Sequence, residues 1–154
     1  MSTSSTSTTS TATAITSTVR PLTTRDADAL TRAAVRAAEG LGVRGSVTVL
    51  DAGGQLLGFR RDDTAVLISG ETSTRKAYTA LQLDAPTAAL VDLVRPDGPF
   101  HTLPTALDRP LLFIAGGVPL HRDGRVIGAL GFGGGTPEQD HRIATAAIAE
   151  ADLA

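Results

Sequence analysis

The sequence predicts an α+β sandwich, a mostly antiparallel five-stranded sheet flanked by helices. Two observations lead there. Short β-patterned segments are joined in pairs by turns of hairpin chemistry, Asp51-Ala52-Gly53-Gly54 and Arg122-Asp123-Gly124. Helical patterns precede, separate and follow these pairs instead of alternating singly with strands, which argues against a doubly wound parallel sheet. With 154 residues, one domain is expected.

The first eighteen residues hold fourteen Ser or Thr and no charge, so residues 1–20 read as a disordered tail and 21–154 as the folded domain. The start has neither the basic nor the apolar region of a secretory signal, and no apolar run approaches the roughly 20 residues of a membrane helix. A cytoplasmic protein is expected.

From Leu22 to Leu41 the apolar positions Ala27, Leu30, Ala34, Ala37 and Leu41 recur at helical spacing. Thr23 or Thr24 can cap the start, Asp26 and Asp28 put negative charge in the first turn, and Gly40 and Gly42 end the helix. Strands follow at Ser46–Leu50 and Gln55–Arg61. A second helix covers Ile68–Leu83, and Pro86 opens a short third one through Val94. Four prolines between Arg95 and Pro110 predict a long irregular loop, a kind of segment that often carries function. Leu111–Ala115 reads as a buried strand, Val118–Leu120 and Arg125–Phe132 as two more. Thr136 caps a last helix that has Pro137 in its first turn and runs to about Ala151.

Composition removes several function classes. Fourteen basic against sixteen acidic residues give a net charge of −2, so no basic surplus marks a nucleic-acid binder. The absence of cysteine excludes disulfides, thiolate metal sites and cysteine nucleophiles. Aromatics at 3% leave few stacking platforms for single strands.

What remains is a short set of candidates. The glycine-rich turn Gly131-Phe132-Gly133-Gly134-Gly135-Thr136 stands between a strand and a helix start. Its exposed N–H groups suit a carboxylate or phosphate, or else serve a tight turn. It is no dinucleotide fingerprint, since Thr136 replaces the last glycine, and no P-loop. Gly116-Gly117 after an apolar strand permit close approach of a ligand or of another backbone. His101, beside Phe100 in the proline-rich loop, suits a general acid or base or an axial ligand to haem iron. His121 beside a turn and His141 after Asp140 read as surface or capping residues. Lys76 is the one lysine among fourteen basic residues; it reads either as an amine kept for base or imine chemistry or as a residue on an exposed helix face. Glu71 and Arg75, one helical turn apart, most simply form a surface pair, and Glu71, on the helix that carries Lys76, is also counted among the ligand-binding candidates.

These segments together resemble a known family. Val49-Leu50-Asp51-Ala52-Gly53-Gly54, Arg75-Lys76-Ala77-Tyr78-Thr79-Ala80, Gly116-Gly117-Val118-Pro119-Leu120 and Gly128 through Gly134 to Gln139-Asp140 occur in the order seen in GlcG/HbpS-like proteins. The resemblance spans about Leu22 to Ala151. It implies a profilin-like sandwich and a homo-oligomer, often an octamer. Some members bind haem and the family carries a haem-degrading label, whereas others accompany glycolate or diol catabolism. Two departures stand out: Gly133 replaces the usual Ser, and Phe100-His101 adds an imidazole where the family often has an aromatic after Gly-Pro.

The leading expectation is a cytosolic oligomeric small-ligand-binding protein with haem as its ligand. His101 would be the axial ligand, and its pocket would be formed by the loop at Phe100, Gly116-Gly117, the helix carrying Glu71 and Lys76, and Gly133-Gly134-Gly135-Thr136. The alternative is a cofactor-independent enzyme acting on a small carbonyl or carboxylate compound, with His101 as acid or base, Lys76 as its electrostatic partner and the glycine loop as oxyanion cradle. No nucleic-acid or membrane partner is expected.

Overall fold

The computed structural model describes residues 18–153. The expected disordered tail falls mostly on residues 1–17, outside the described part. Val19 packs against the core, and the carbonyl of Arg20 accepts from Arg122 Nη1 at 2.7 Å.

Helix α1 (Thr24–Gly40) begins with a reciprocal capping box: Thr23 Oγ1 accepts from the Asp26 N–H, and the Asp26 carboxylate accepts from the Thr23 N–H. Its small buried stripe, Ala27, Leu30, Ala33, Ala34 and Ala38, lets the helix lie close on its neighbours. Strands β1 (Ser46–Asp51) and β2 (Leu56–Arg61) form the first hairpin. Its turn is closed by Asp51 Oδ1, which accepts from the N–H groups of Gly53 and Gln55, while Gly54 takes φ +78°. Helix α2 (Ser69–Leu83) follows, then two 3₁₀ turns (Thr87–Ala89 and Val91–Val94) and the short helix α3 (Leu103–Ala106). Strands β3 (Gly117–Arg122) and β4 (Arg125–Gly133) form the second hairpin, with Asp123 and Gly124 both left-handed at its turn. Helix α4 (Pro137–Ala151) closes the fold behind a Thr136–Gln139 capping box.

The sheet has four strands in the order β2-β1-β4-β3, all antiparallel. This corrects the five-stranded expectation. The expected strand at Leu111–Ala115 is not formed, and the segment pairs with no strand. Leu111 and Phe113 do turn inward, but into a satellite cluster with Leu90 beside α2, and the Leu112 N–H donates to Thr79 Oγ1 at 2.8 Å. A short continuous apolar run satisfies its burial equally well against a helix flank, and a side-chain hydroxyl here takes a donor that a strand would have taken. The expected third helix from Pro86 is likewise the two 3₁₀ turns.

Alternation along the strands sorts residues into two faces. Val47, Val49, Leu130 and Phe132 join Leu30 of α1 and Ile143 of α4 in the main core. On the opposite face Leu50 and Ala129 meet Ala77 and Ala80 of α2. Ser46 and Thr48, also on that face, bond to Ser69, Ser73 and Thr74 at 2.8–2.9 Å. The molecule is three layers: α1 and α4, the sheet, and α2. Among the described residues no helix is long and apolar enough to cross a membrane.

Candidate functional site

Most of the glycines picked out from the sequence lie under α2. A Cβ on Gly117 would strike the backbone carbonyl of Lys76, one on Gly131 the carbonyl of Ser73, and one on Gly133 the hydroxyl of Thr72. At these positions the α2 face of β3 and β4 has no side chain, so that the helix backbone can rest almost on the sheet. Gly116, Gly117 and Gly133 therefore do packing work within this chain. Gly134 and Gly135 lead from β4 to α4; Gly134 is exposed, yet a Cβ there would strike the Arg44 carbonyl, and one on Gly135 would crowd Gln139 and Asp140. Thr136 is the N-cap of α4, its side chain occupied by the Gln139 N–H.

Close approach of α2 puts Lys76 inside the protein. The residue is 3% exposed, and its Nζ donates to Asp140 Oδ2 at 2.7 Å and to the Phe132 carbonyl at 3.2 Å. Asp140 is 2% exposed, and its Oδ1 accepts the Gly135 N–H at 2.8 Å. One carboxylate thus ties together α2, the glycine turn and the first turn of α4, where the helix dipole also favours a negative group. The alternative of Lys76 on an exposed helix face is excluded. Nothing in the sequence marks Asp140 as its partner, because sixty-four residues separate the two and neither helical nor strand spacing links them.

Two adjoining clefts open beside this pair and share Ile114 and Pro137. The larger, about 620 Å³, is walled by Ala88, Val91, Phe113 and Ile114 on one side and by Glu138, His141 and Arg142 of α4 on the other. The smaller, about 230 Å³, lies between the starts of α2 and α4 and reaches Lys76, Asp140, Ser69, Thr72, Gly134 and Gly135.

Histidines are distributed differently from expectation. His101 and Phe100 are exposed on their loop and line neither cleft. His121 Nε2 meets Asp84 Oδ1 at 2.7 Å on the surface. His141 lines the larger cleft, and its Nδ1 is buried with no hydrogen-bond partner among the described residues. Apolar residues on a separate loop complete that cleft, so nothing local to His141 in the sequence marks it. Glu71 holds Arg75 at 2.7 Å, and both line a third cleft of about 560 Å³ with Asp108 and Arg109, whose guanidinium sits 3.7 Å above the Tyr78 ring.

Comparison with known proteins agrees on the family. The family model described as haem degrading protein HbpS-like matches residues 22–149. The corrinoid adenosyltransferase PduO of Salmonella typhimurium is 40% identical over 128 residues, 83% of this chain but 38% of that protein. The chain thus spans well under half the length of that relative. The crystal structure of a PduOC:heme complex superposes with a TM-score of 0.82 at 39% identity, covering 85% of this chain and 95% of that one. A double mutant of Streptomyces reticuli HbpS superposes with a TM-score of 0.75 at 32% identity, covering 95% and 97%.

Proposed function

Because the chain belongs to the HbpS-like haem-degrading protein family, we propose that it binds haem, and that it does so in the cleft between the Phe113–Ala115 segment and the start of α4. The observation that carries this reading is His141: an imidazole on the wall of an otherwise largely apolar cleft, whose buried Nδ1 has no hydrogen-bond partner among the described residues.

The residues suit the group. At about 620 Å³ the cleft falls within the range of about 300–1,000 Å³ usual for cofactor sites. Val91, Phe113 and Ile114 offer apolar contact to a macrocycle, and Arg142 offers a cation to its carboxylates. Haem would supply a redox-active iron. The chain's own part is to hold it by the His141 ring, shield its face with Phe113 and Ile114, and orient it by charge at Arg142. His101 gives way to His141 as proposed ligand because it lines neither of the two adjoining clefts. A homo-oligomer fits the exposed run Val66, Leu67 and Ile68, at 60%, 80% and 65% exposure, three neighbouring apolar residues that a second copy could cover.

Haemin titration followed at the Soret band tests the reading on wild type, His141→Ala and His101→Ala. A saturable red-shifted band that survives His101→Ala and is lost in His141→Ala is expected. No saturable band in the wild type overturns haem binding, and loss in His101→Ala alone returns the ligand to the loop.

A further inference from the structure

We propose that Lys76 is a positioning residue for the larger cleft: it fastens both walls of that cleft to the body of α2, although it does not itself line it. This role deepens the haem reading, and only the haemin titration below rests on that reading.

Three pieces of chain build the cleft, and each is tied down one residue away from it. On α4 the tie is Asp140, next to His141; its carboxylate accepts from Lys76 Nζ at 2.7 Å and from the Gly135 N–H at 2.8 Å. Phe113, Ile114 and Ala115 form the facing wall and run directly into Gly116. There the chain takes φ +127°, and a Cβ would stand 2.9 Å from Asp140 Cβ and 3.1 Å from Lys76 Cδ, so Gly116 lies against the pair itself. Ala88 continues that wall and follows Thr87, a fully buried residue whose hydroxyl accepts from the Gly117 N–H at 2.9 Å. Gly117 in turn rests on the Lys76 backbone, where a Cβ would run into the carbonyl.

Lys76 is common to all three ties. Its ammonium holds α4, its stem packs on Gly116 and its carbonyl lies under Gly117. The part of α2 that carries it is fixed in its turn, because Ala77 and Ala80 are buried against Leu50 and Ala129 of the sheet.

Direction separates this role from burial alone. A buried ion pair adds little net stability over apolar groups of the same volume, but its hydrogen bonds have preferred lengths and angles. Two bonds to one carboxylate, from Lys76 and from Gly135, set the position at which α4 starts. Met and Leu in their place would fill similar space and leave α4 to settle by contact. A ligand that must meet both the His141 ring and the facing wall feels the difference, since a supporting shell loose by about 1 Å is enough to spoil a site.

Wall geometry is measured first, in full-length, haem-free protein. The sequence contains no cysteine, so Ala89→Cys and Ala146→Cys, exposed positions outside the cleft lining, take one spin label each. Pulsed EPR should give one narrow distance distribution on the native background. In Lys76→Met/Asp140→Leu a distribution about twofold broader, or displaced by about 1–2 Å, is expected. Thr87→Val, which removes the hydroxyl that receives Gly117, should disturb the distribution from the other wall. Circular dichroism and urea unfolding establish that each variant is folded. Haemin titration of the unlabelled proteins follows, with a displaced Soret band and about tenfold or more weaker binding expected in the pair variant. A distribution unchanged in both variants overturns the proposal. So does a pair variant whose walls have moved but which binds haemin with the wild-type band and affinity. If the native protein takes up no haemin, displaced walls still establish the positioning role, and the loss falls on the haem reading alone.

Discussion

Lys76 Nζ stands 2.7 Å from Asp140 Oδ2, both side chains nearly wholly buried, so the middle of α2 is fastened to the first turn of α4 across the end of β4. Removing one member leaves the other charged and unpaired in the interior, which is expected to cost about 3–5 kcal/mol for Lys76→Met or Asp140→Ala. The paired variant Lys76→Met/Asp140→Leu should recover a large part of that loss, because two apolar groups leave no stranded charge. Urea unfolding of the two single variants and the pair measures both the cost and the coupling.

The glycines under α2 and the glycine at the end of α1 should respond in opposite directions. Gly131→Ala drives a Cβ into the Ser73 carbonyl and the Ala77 backbone, which are helix backbone atoms that cannot swing aside. A loss of about 1–3 kcal/mol or more is expected. Gly40→Ala meets nothing within 4 Å in the last turn of α1 and should stabilise by about 0.4–1 kcal/mol, mainly by restricting the unfolded chain. Thermal unfolding of the two variants checks the sign of each.

Asp62 carries the pH prediction. Its carboxylate accepts from the Thr64 hydroxyl and N–H and from Arg44, which together hold its pKa at about 2, below the ordinary 3.8. A carboxyl depressed on folding contributes stability that is fully present above the unfolded value and is lost as the pH falls through the folded one. The contribution of Asp62 should therefore fade between about pH 4 and about pH 2. Carboxyl ¹³C titration should give a midpoint near 2 in the wild type and a higher one in Thr64→Val, which removes the hydroxyl donor. An identical midpoint in the variant would contradict the assigned cause.

Self-association should depend on the apolar run before α2. Leu67 is 80% exposed and lines neither of the two adjoining clefts, so Leu67→Asp is expected to leave the fold of one chain intact while lowering the molar mass seen by light scattering. A monomeric wild type, or an unchanged mass in the variant, removes this surface from the proposed interface.

The sequence by itself determined the local structure and the family. Capping residues Thr23 and Thr136, the turns at Gly54 and Gly124, and the periodicity of α1, α2 and α4 act over a few neighbouring residues, and each element formed close to where its residues predict. Four separated motifs in order were enough for the HbpS-like resemblance that the family model bears out. Tertiary structure decided what those residues meet. It turned Leu111–Ala115 from a strand into a cover over α2, made Gly117 and Gly133 into packing contacts, and buried Lys76 against Asp140. It also put His141, and not His101, on the wall of the larger cleft, because that wall is assembled from α4 and a loop that are distant in the chain. Periodicity reports how a residue sits within its own element. Which other element lies against it depends on layer packing, and a single sequence carries no local mark of that.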